Sequence, residues 1–134
     1  MFHTLSPSGE PRLIPLGPLV ALHKLDAKPP RYAAGTRLLL AQSHGDQHTT
    51  RMEAIGESVE VVRERLRAEH GIRTLLFSGL RGDSYLCVNR LLSVSPGDNG
   101  GSVIKLSAGP DGEYWKCYVV ESPEEVRYRI ENQA

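Results

Sequence analysis

The chain is poor in every feature that would place it in a special class. Among 134 residues it has two cysteines, Cys87 and Cys117, too few for a disulfide framework. Aromatic residues make up only 6%. Neither sign of charge prevails: sixteen Lys and Arg balance sixteen Asp and Glu. No global field therefore draws the protein to nucleic acid or to an anionic membrane, and either would need a local patch. No apolar run approaches the length of a membrane-spanning helix. The opening Met1-Phe2-His3-Thr4 has no basic-then-apolar leader pattern, so a soluble cytoplasmic protein is the expected class. What remains, 40% hydrophobic and 24% charged, is the composition of one globular domain or of two small modules sharing a core.

The sequence does contain a repeat. Glu57-Ser58-x-Glu60-x-Val62-Arg63-x-Arg65-Leu66 returns 64 positions later as Glu121-Ser122-x-Glu124-x-Val126-Arg127-x-Arg129-Ile130. Self-similarity of this kind decides architecture before any local motif does. Upstream the correspondence is weaker. Gly9, Leu13 and Leu19 answer to Gly82, Leu86 and Leu92 at a spacing of 73, and Gly35 through Leu40 answer to Gly101 through Leu106 at 66. The change of spacing falls in the Pro-bearing stretch Asp26 to Tyr32, where a surface connection lengthens at small entropic cost. The expectation is an α+β protein made by tandem duplication of a small antiparallel module of three to four strands, each ending in a helix. The modules span 1–71 and 72–134, with a long insert near 26–34 in the first.

In the second module Tyr85 to Val88 and Leu91 to Val94 read as short strands, and Pro96 to Gly101 as a loop. Val103 to Leu106 and Trp115 to Val120 flank Gly109-Pro110-Asp111-Gly112, the pattern of a hairpin. The repeated segment carries helix start signals: Ser122 can accept the Glu125 N–H while Glu125 reaches back, and Pro123 sits where its missing N–H costs nothing. Ser58 caps the earlier helix, and Gly71 is a suitable left-handed stop. Val59, Val62 and Leu66 match Pro123, Val126 and Ile130 in spacing, which puts each set on one face to close over a sheet. One mismatch remains. At the helix spacing Arg51, Glu53 and Ile55 align with Trp115, Cys117 and Val119, so either a bulge shifts the first copy or the second strand is covered on both faces.

The stretch from Gly82 through Ile130 resembles the small bacterial FlbD/SwrD flagellar family. The residues that carry the likeness are Leu80, Gly82, Val88-Asn89, Leu91-Leu92, Ile104-Lys105-Leu106, Gly112, Tyr118-Val119-Val120 and Glu121-Ser122-Pro123-Glu124-Glu125-Val126. The first half matches that pattern only at its hairpin and helix. The motif consists of turn, strand and cap residues, so the resemblance implies a fold. Members are implicated in flagellar function with no catalytic residues attributed to them, which implies a non-catalytic module from a bacterium or phage.

Candidate chemistry is sparse. His44, Asp46 and His48 hold two imidazoles and a carboxylate within five residues, a possible metal set, though a solvated hairpin tip is the ordinary reading. Arg81-Gly82-Asp83 spells an integrin-binding tripeptide but reads as a turn. Cys87 and Cys117 lie on strands that could pair, and buried free thiols are expected. Asn99 and Gly100, in the Gly-rich loop, can offer backbone N–H groups to an anion, although the lysine and helix of a phosphate loop are missing. Arg63, Arg67, Arg127 and Arg129 gather positive charge on the two helices and could grip a phosphate-bearing ligand. Alternatively Glu60, Glu64, Glu124, Glu125 and Glu131 neutralise them on solvated faces. The function expected is a non-catalytic binding or adaptor protein, needing no cofactor, with a protein partner or self-association through sheet edges. The alternatives are sequestering or sensing of a nucleotide-like ligand in an inter-module pocket and, disfavoured by zero net charge, nucleic-acid binding.

Overall fold

The computed structural model describes residues 1–25, 35–44, 47–79, 82–107 and 114–133, with the backbone alone for 43, 44, 47–50 and 133. It is an α+β structure, mostly antiparallel sheet with two helices. The order is β1 (Phe2–Leu5), β2 (Pro11–Ile14), β3 (Leu19–Leu25), β4 (Gly35–His44), β5 (Gln47–Ile55), α1 (Val59–His70), β6 (Thr74–Gly79), β7 (Gly82–Cys87), β8 (Leu91–Pro96), β9 (Ser102–Ser107), β10 (Tyr114–Val119) and α2 (Pro123–Gln133). Five strands and a helix thus occur twice, where three to four strands were expected. The strand missed in the second half is β6, which follows α1 after a short turn. The insert near 26–34 lies outside the described residues.

The helix signals act as local chemistry requires. Ser58 Oγ accepts the Val61 N–H at 3.3 Å, and Gly71, at φ 67°, closes α1 by donating its N–H to Arg67 O at 3.1 Å. Ser122 Oγ accepts the Glu125 N–H at 3.2 Å. The reciprocal half of that capping box is replaced, because the Glu125 carboxylate turns to Arg129 instead. Val59, Val62 and Leu66 are buried on α1; on α2 Val126 is buried and Ile130 only partly.

Eight strands form one sheet in the order β5-β4-β3-β7-β6-β10-β9-β8, and β1 and β2 form a separate hairpin. That hairpin touches the end of β5 through a Gly56 N–H donated to Leu5 O at 2.9 Å, as the Val120 N–H donates to Ser78 O at 2.8 Å beside β10. The halves join at one seam, where β3 pairs antiparallel with β7 through Ala21 opposite Leu86 and Leu22 opposite Tyr85.

Registers recur between the halves. Thr36 faces Ile55 and Ala41 faces Thr50 in β4·β5; Ser102 faces Val119 and Ser107 faces Tyr114 in β9·β10. Strand β3 slips by one residue between Leu19 and Ala21, and β8 slips between Leu91 and Ser93. The slips bring Leu19 and Leu91 opposite Leu40 and Leu106, so the third strands correspond at a spacing of 72 where the sequence suggested 73. The same closeness of backbones recurs as well. A Cβ on Gly35 would lie 2.3 Å from Ile55 O, and one on Gly101 would lie 2.5 Å from Val119 O.

Neither explanation offered for the parity mismatch is needed. Strands β5 and β10 run without a register shift. In β10 Cys117 and Val119 are buried while Tyr118 is exposed, and in β5 Ile55 is buried while Met52 is exposed. Arg51 and Glu53 therefore occupy the inward parity in β5, where Glu53 lies 3.6 Å from Arg12 and 3.7 Å from Arg51. Charges turned inward on a strand are one way in which a sheet end is protected from unwanted pairing.

Two hydrophobic cores result, and each borrows from the other half. The first holds Phe2, Ile14, Leu38, Leu40, Val62 and Leu66 together with Cys87 of β7. The second holds Phe77, Leu86, Ile104, Leu106 and Val126 together with Val20, Ala21 and Leu39 from the back of β3 and β4. At about 1.5–3 kcal/mol for each fully buried Leu or Phe side chain, the borrowed residues bind the halves into one unit.

Candidate functional site

Most of the helix arginines are occupied within the chain. Arg129 donates to Leu76 O at 2.7 Å, pairs with Glu121 at 2.7 Å and with Glu125 at 3.3 Å, and stacks over Phe77. Arg65 does the same work in the first half, donating to His3 O at 2.8 Å, pairing with Glu57 and Glu69 and lying over Phe2. Arg63 ties α1 to the second half: its Nε donates to Thr74 Oγ1 at 2.8 Å and its guanidinium covers the Tyr85 ring. Arg67 pairs with Glu64, which holds the exposed Glu64 carboxyl below its ordinary range. Arg127 alone of the four nominated arginines makes no hydrogen bond or ion pair among the described residues.

The repeated Glu-Ser pair explains much of this. Glu57 accepts from Thr4 Oγ1 at 2.6 Å, and Glu121 accepts the Ser78 N–H at 2.9 Å. The backbone oxygens of these glutamates accept from Thr36 Oγ1 at 2.9 Å and Ser102 Oγ at 2.7 Å. Each Glu thus bolts its helix to the strand that starts the hairpin. The helix-surface partners that the sequence offers the arginines do not include these two residues, although both stand in the repeated motif.

The Gly-rich loop lies apart from the arginines. Asn99 is left-handed at φ 56°, as is Gly100 at φ 78°. The Gly97 N–H donates to Gly101 O at 2.9 Å and the Gly101 N–H to Asp98 O at 3.1 Å, so two of the loop's donors are spent inside it. The loop lines a cleft of about 410 Å³ whose other walls include Val103, Tyr118 and Val120, with Asn99 among its residues and none of the four arginines.

Tyr118 also lines a second cleft, of about 390 Å³, with His23, Ser84, Trp115 and Lys116. Its side chain is 52% exposed between the two. Tyr114 stands four residues away on the same face, with Lys105 Nζ 4.5 Å and Lys116 Nζ 5.8 Å from its ring. Strand alternation puts Tyr114, Lys116 and Tyr118 on the outward side of β10, opposite Cys117 and Val119. The seam brings in His23, whose Nε2 lies 2.7 Å from Ser84 Oγ across 61 residues of sequence. Burial, and then the charge of Arg37, push His23 below its ordinary value, so it sits neutral at neutral pH. This is an open surface of two aromatic rings, two ammonium groups and flanking clefts. Such a surface suits a peptide segment that brings apolar side chains and carboxylates.

The remaining candidates are dispersed. Cys87 and Cys117 are free and buried. They do not lie on paired strands: β6 stands between β7 and β10, and the two thiols belong to different cores. Burial pushes Cys87 up to about 12 and Cys117 up to about 11, which leaves both as unreactive thiols. His44 and His48 stand on β4 and β5, but their side chains and Asp46 lie outside the described residues. Arg81 also lies outside them, while Gly82 opens β7 at φ 119°. No helix among the described residues is long and apolar enough to cross a membrane. Compared with known proteins, the chain matches no family model, no curated protein and no solved structure.

Proposed function

We propose that the chain is a tandem duplication of one FlbD-like β-rich module, and that it acts as a non-catalytic binding or adaptor protein through protein–protein contacts. The observation that carries this is the outward face of β10, where Tyr118 is half exposed between two clefts and Tyr114 is bracketed by Lys105 and Lys116. Exposed aromatic groups ringed by polar ones mark surfaces that bind other proteins. Duplication is supported by the recurring element order, by the matching slips in β3 and β8, and by the parallel duties of Glu57 with Arg65 and Glu121 with Arg129. The partner chemistry that fits is an acidic segment with apolar anchors. A reducing, cytoplasmic compartment suits the two unpaired thiols.

The alternative of a sequestered phosphate-bearing ligand is less well served. Arg129 and Arg67 spend their guanidinium groups on glutamates, and Asn99 and Gly100 lie in a loop away from them. A photo-crosslinking amino acid at Tyr118, introduced in the native host, tests the reading. One dominant adduct with a different protein is expected, weakened when Tyr114 and Lys116 are both changed to Ala. Absence of any such adduct, or native mass spectrometry showing a bound nucleotide instead, would overturn it.

A further inference from the structure

The chain of neighbouring strands has two open ends. Starting from β2 it runs through β1, β5, β4, β3, β7, β6, β10 and β9 to β8. Among the described residues β2 has a paired strand on one side only, and so has β8. In the interior the same two kinds of strand meet: β3, the third strand of the first half, pairs with β7, the second strand of the second half. By register β8 is the counterpart of β3, and β2 is the counterpart of β7. The seam inside the chain is therefore a template for a contact that each chain leaves unmade at both ends.

Burial differs between the seam and the open ends as this template requires. Val20, in the slip of β3, is 0% exposed in the seam, whereas Leu92, in the matching slip of β8, is 57% exposed. Tyr85 packs against the core of the first half, and its counterpart Leu13 is 50% exposed. Charge is matched as well. Leu39 and Cys117 share the core that the seam closes; their counterparts at the open ends are Lys105 and Glu53, a cation and an anion. A pair that is apolar within the chain is thus replaced at the two open ends by opposite charges, both half-buried, with Glu53 standing also beside Arg12 and Arg51.

The halves do not close on themselves. A two-fold arrangement would lay the back of β8 and β9 over the first core, yet that core draws its members from β7 and from the first half, and Leu92 stays exposed. We infer that the chain assembles head to tail with a second copy of itself: β8 of one copy pairs antiparallel with β2 of the next, Val94 opposite Leu13 and Ser93 opposite Ile14. This rests on reading the halves as repeats of one module, and it names one partner for the free edges. Such a heterologous contact propagates until a ring closes or a filament grows. It adds a strand at an exposed edge, where main-chain hydrogen bonds supply affinity and alternate side chains supply register. By the same template Lys116 and Tyr118, counterparts of the exposed Met52 and Ala54, stay open in the assembly.

Light scattering after gel filtration tests this with two variants, Leu13→Asp and Leu92→Asp. The unaltered chain is expected to run as more than one copy. Each variant alone is expected to be monomeric with unchanged thermal unfolding, since both side chains are already half exposed. Mixed in equal amounts, they are expected to give a dimer of one of each, because the Leu92→Asp chain retains an intact β2 and the Leu13→Asp chain an intact β8. Lys105→Glu, which sets a carboxylate against Glu53 of the next copy, is expected to lower the assembled mass without touching either edge. A monomeric wild type, a Leu13→Asp protein that assembles fully, or a mixture that stays monomeric overturns the inference. A monomeric wild type with an intact Tyr118 adduct removes self-assembly and leaves the adaptor reading standing; an assembling protein with no adduct does the reverse.

Discussion

The two halves use one plan with different tightness. In the first, α1 covers its sheet with Val59, Val62 and Leu66, all buried, and ends at a left-handed glycine. In the second, α2 buries Val126 fully and Ile130 partly. The electrostatic tether runs the other way. The Glu121 side chain, bound to Arg129, is 8% exposed, while that of Glu57, bound to Arg65, is 22% exposed. Apolar cover secures the first helix, and an ion pair with a buried carboxylate and a partly exposed guanidinium secures the second. The same construction can thus be held together by either of two forces.

Substitutions can break that comparison, and the largest effect is expected in the first core. Leu66→Ala should cost about 2–5 kcal/mol, the range for emptying a buried leucine site, and Ile130→Ala distinctly less; urea unfolding of both variants measures the difference. The glycine pair should behave alike. Gly35→Ala and Gly101→Ala each drive a Cβ into a strand carbonyl, and each should lose about 1–3 kcal/mol by the same measurement. A large loss at one site with none at the other would show that the hairpins are not equivalent.

The tether is expected to reverse the order of the halves. Arg129→Ala leaves a nearly buried Glu121 without its cation and should cost about 1.5–3 kcal/mol, with Arg65→Ala below it. If Arg65→Ala proves the costlier, the ion pair is not what holds α2. Removing a cap should cost about 1 kcal/mol, Ser58→Ala more than Ser122→Ala because Pro123 still presets the first turn of α2.

Acid and base titrations separate the seam from the two cores. The raised thiols contribute stability that is whole below the unfolded value of 9.0 and is lost as pH rises toward about 12 for Cys87 and about 11 for Cys117, because the unfolded chain loses those protons first. Cys87→Ala should flatten the alkaline limb more than Cys117→Ala. His23 runs the opposite way. Its lowered value contributes stability above 6.5 that falls away as the pH drops below it, since the unfolded chain takes the proton first. His23→Gln should remove that part of the acid loss, read from unfolding midpoints across mildly acidic pH.

Much of the fold could be read along the chain, because its signals are local. Ser58, Gly71, Ser122 and Pro123 mark helix ends through bonds spanning a few residues, and the apolar spacing of α1 and α2 reports the covered face directly. Strand β6 was missed because Leu75, Leu76 and Phe77 show no two-residue alternation across the whole segment. The spacing of 73 missed by one because the choice of which strand residues stand opposite one another leaves no mark on residue type; by register β3 and β8 match at 72 on both sides of their slips. The candidate surface was hardly legible at all. Tyr118 and Lys116 read only as strand residues in the sequence, and nothing near His23 points to Ser84.

The amino-acid sequence on its own determined that two helices would form, where each begins, which of their faces is apolar, and that they belong to matching segments, since caps and periodicity act within a turn or two of chain. Only the tertiary structure decided that β3 meets β7, that Glu57 and Glu121 bolt helices to distant strands, and that β2 and β8 are left as ends. Those outcomes depend on pairing between residues far apart in the chain, where loop entropy and shared burial, and not local preference, choose the neighbour.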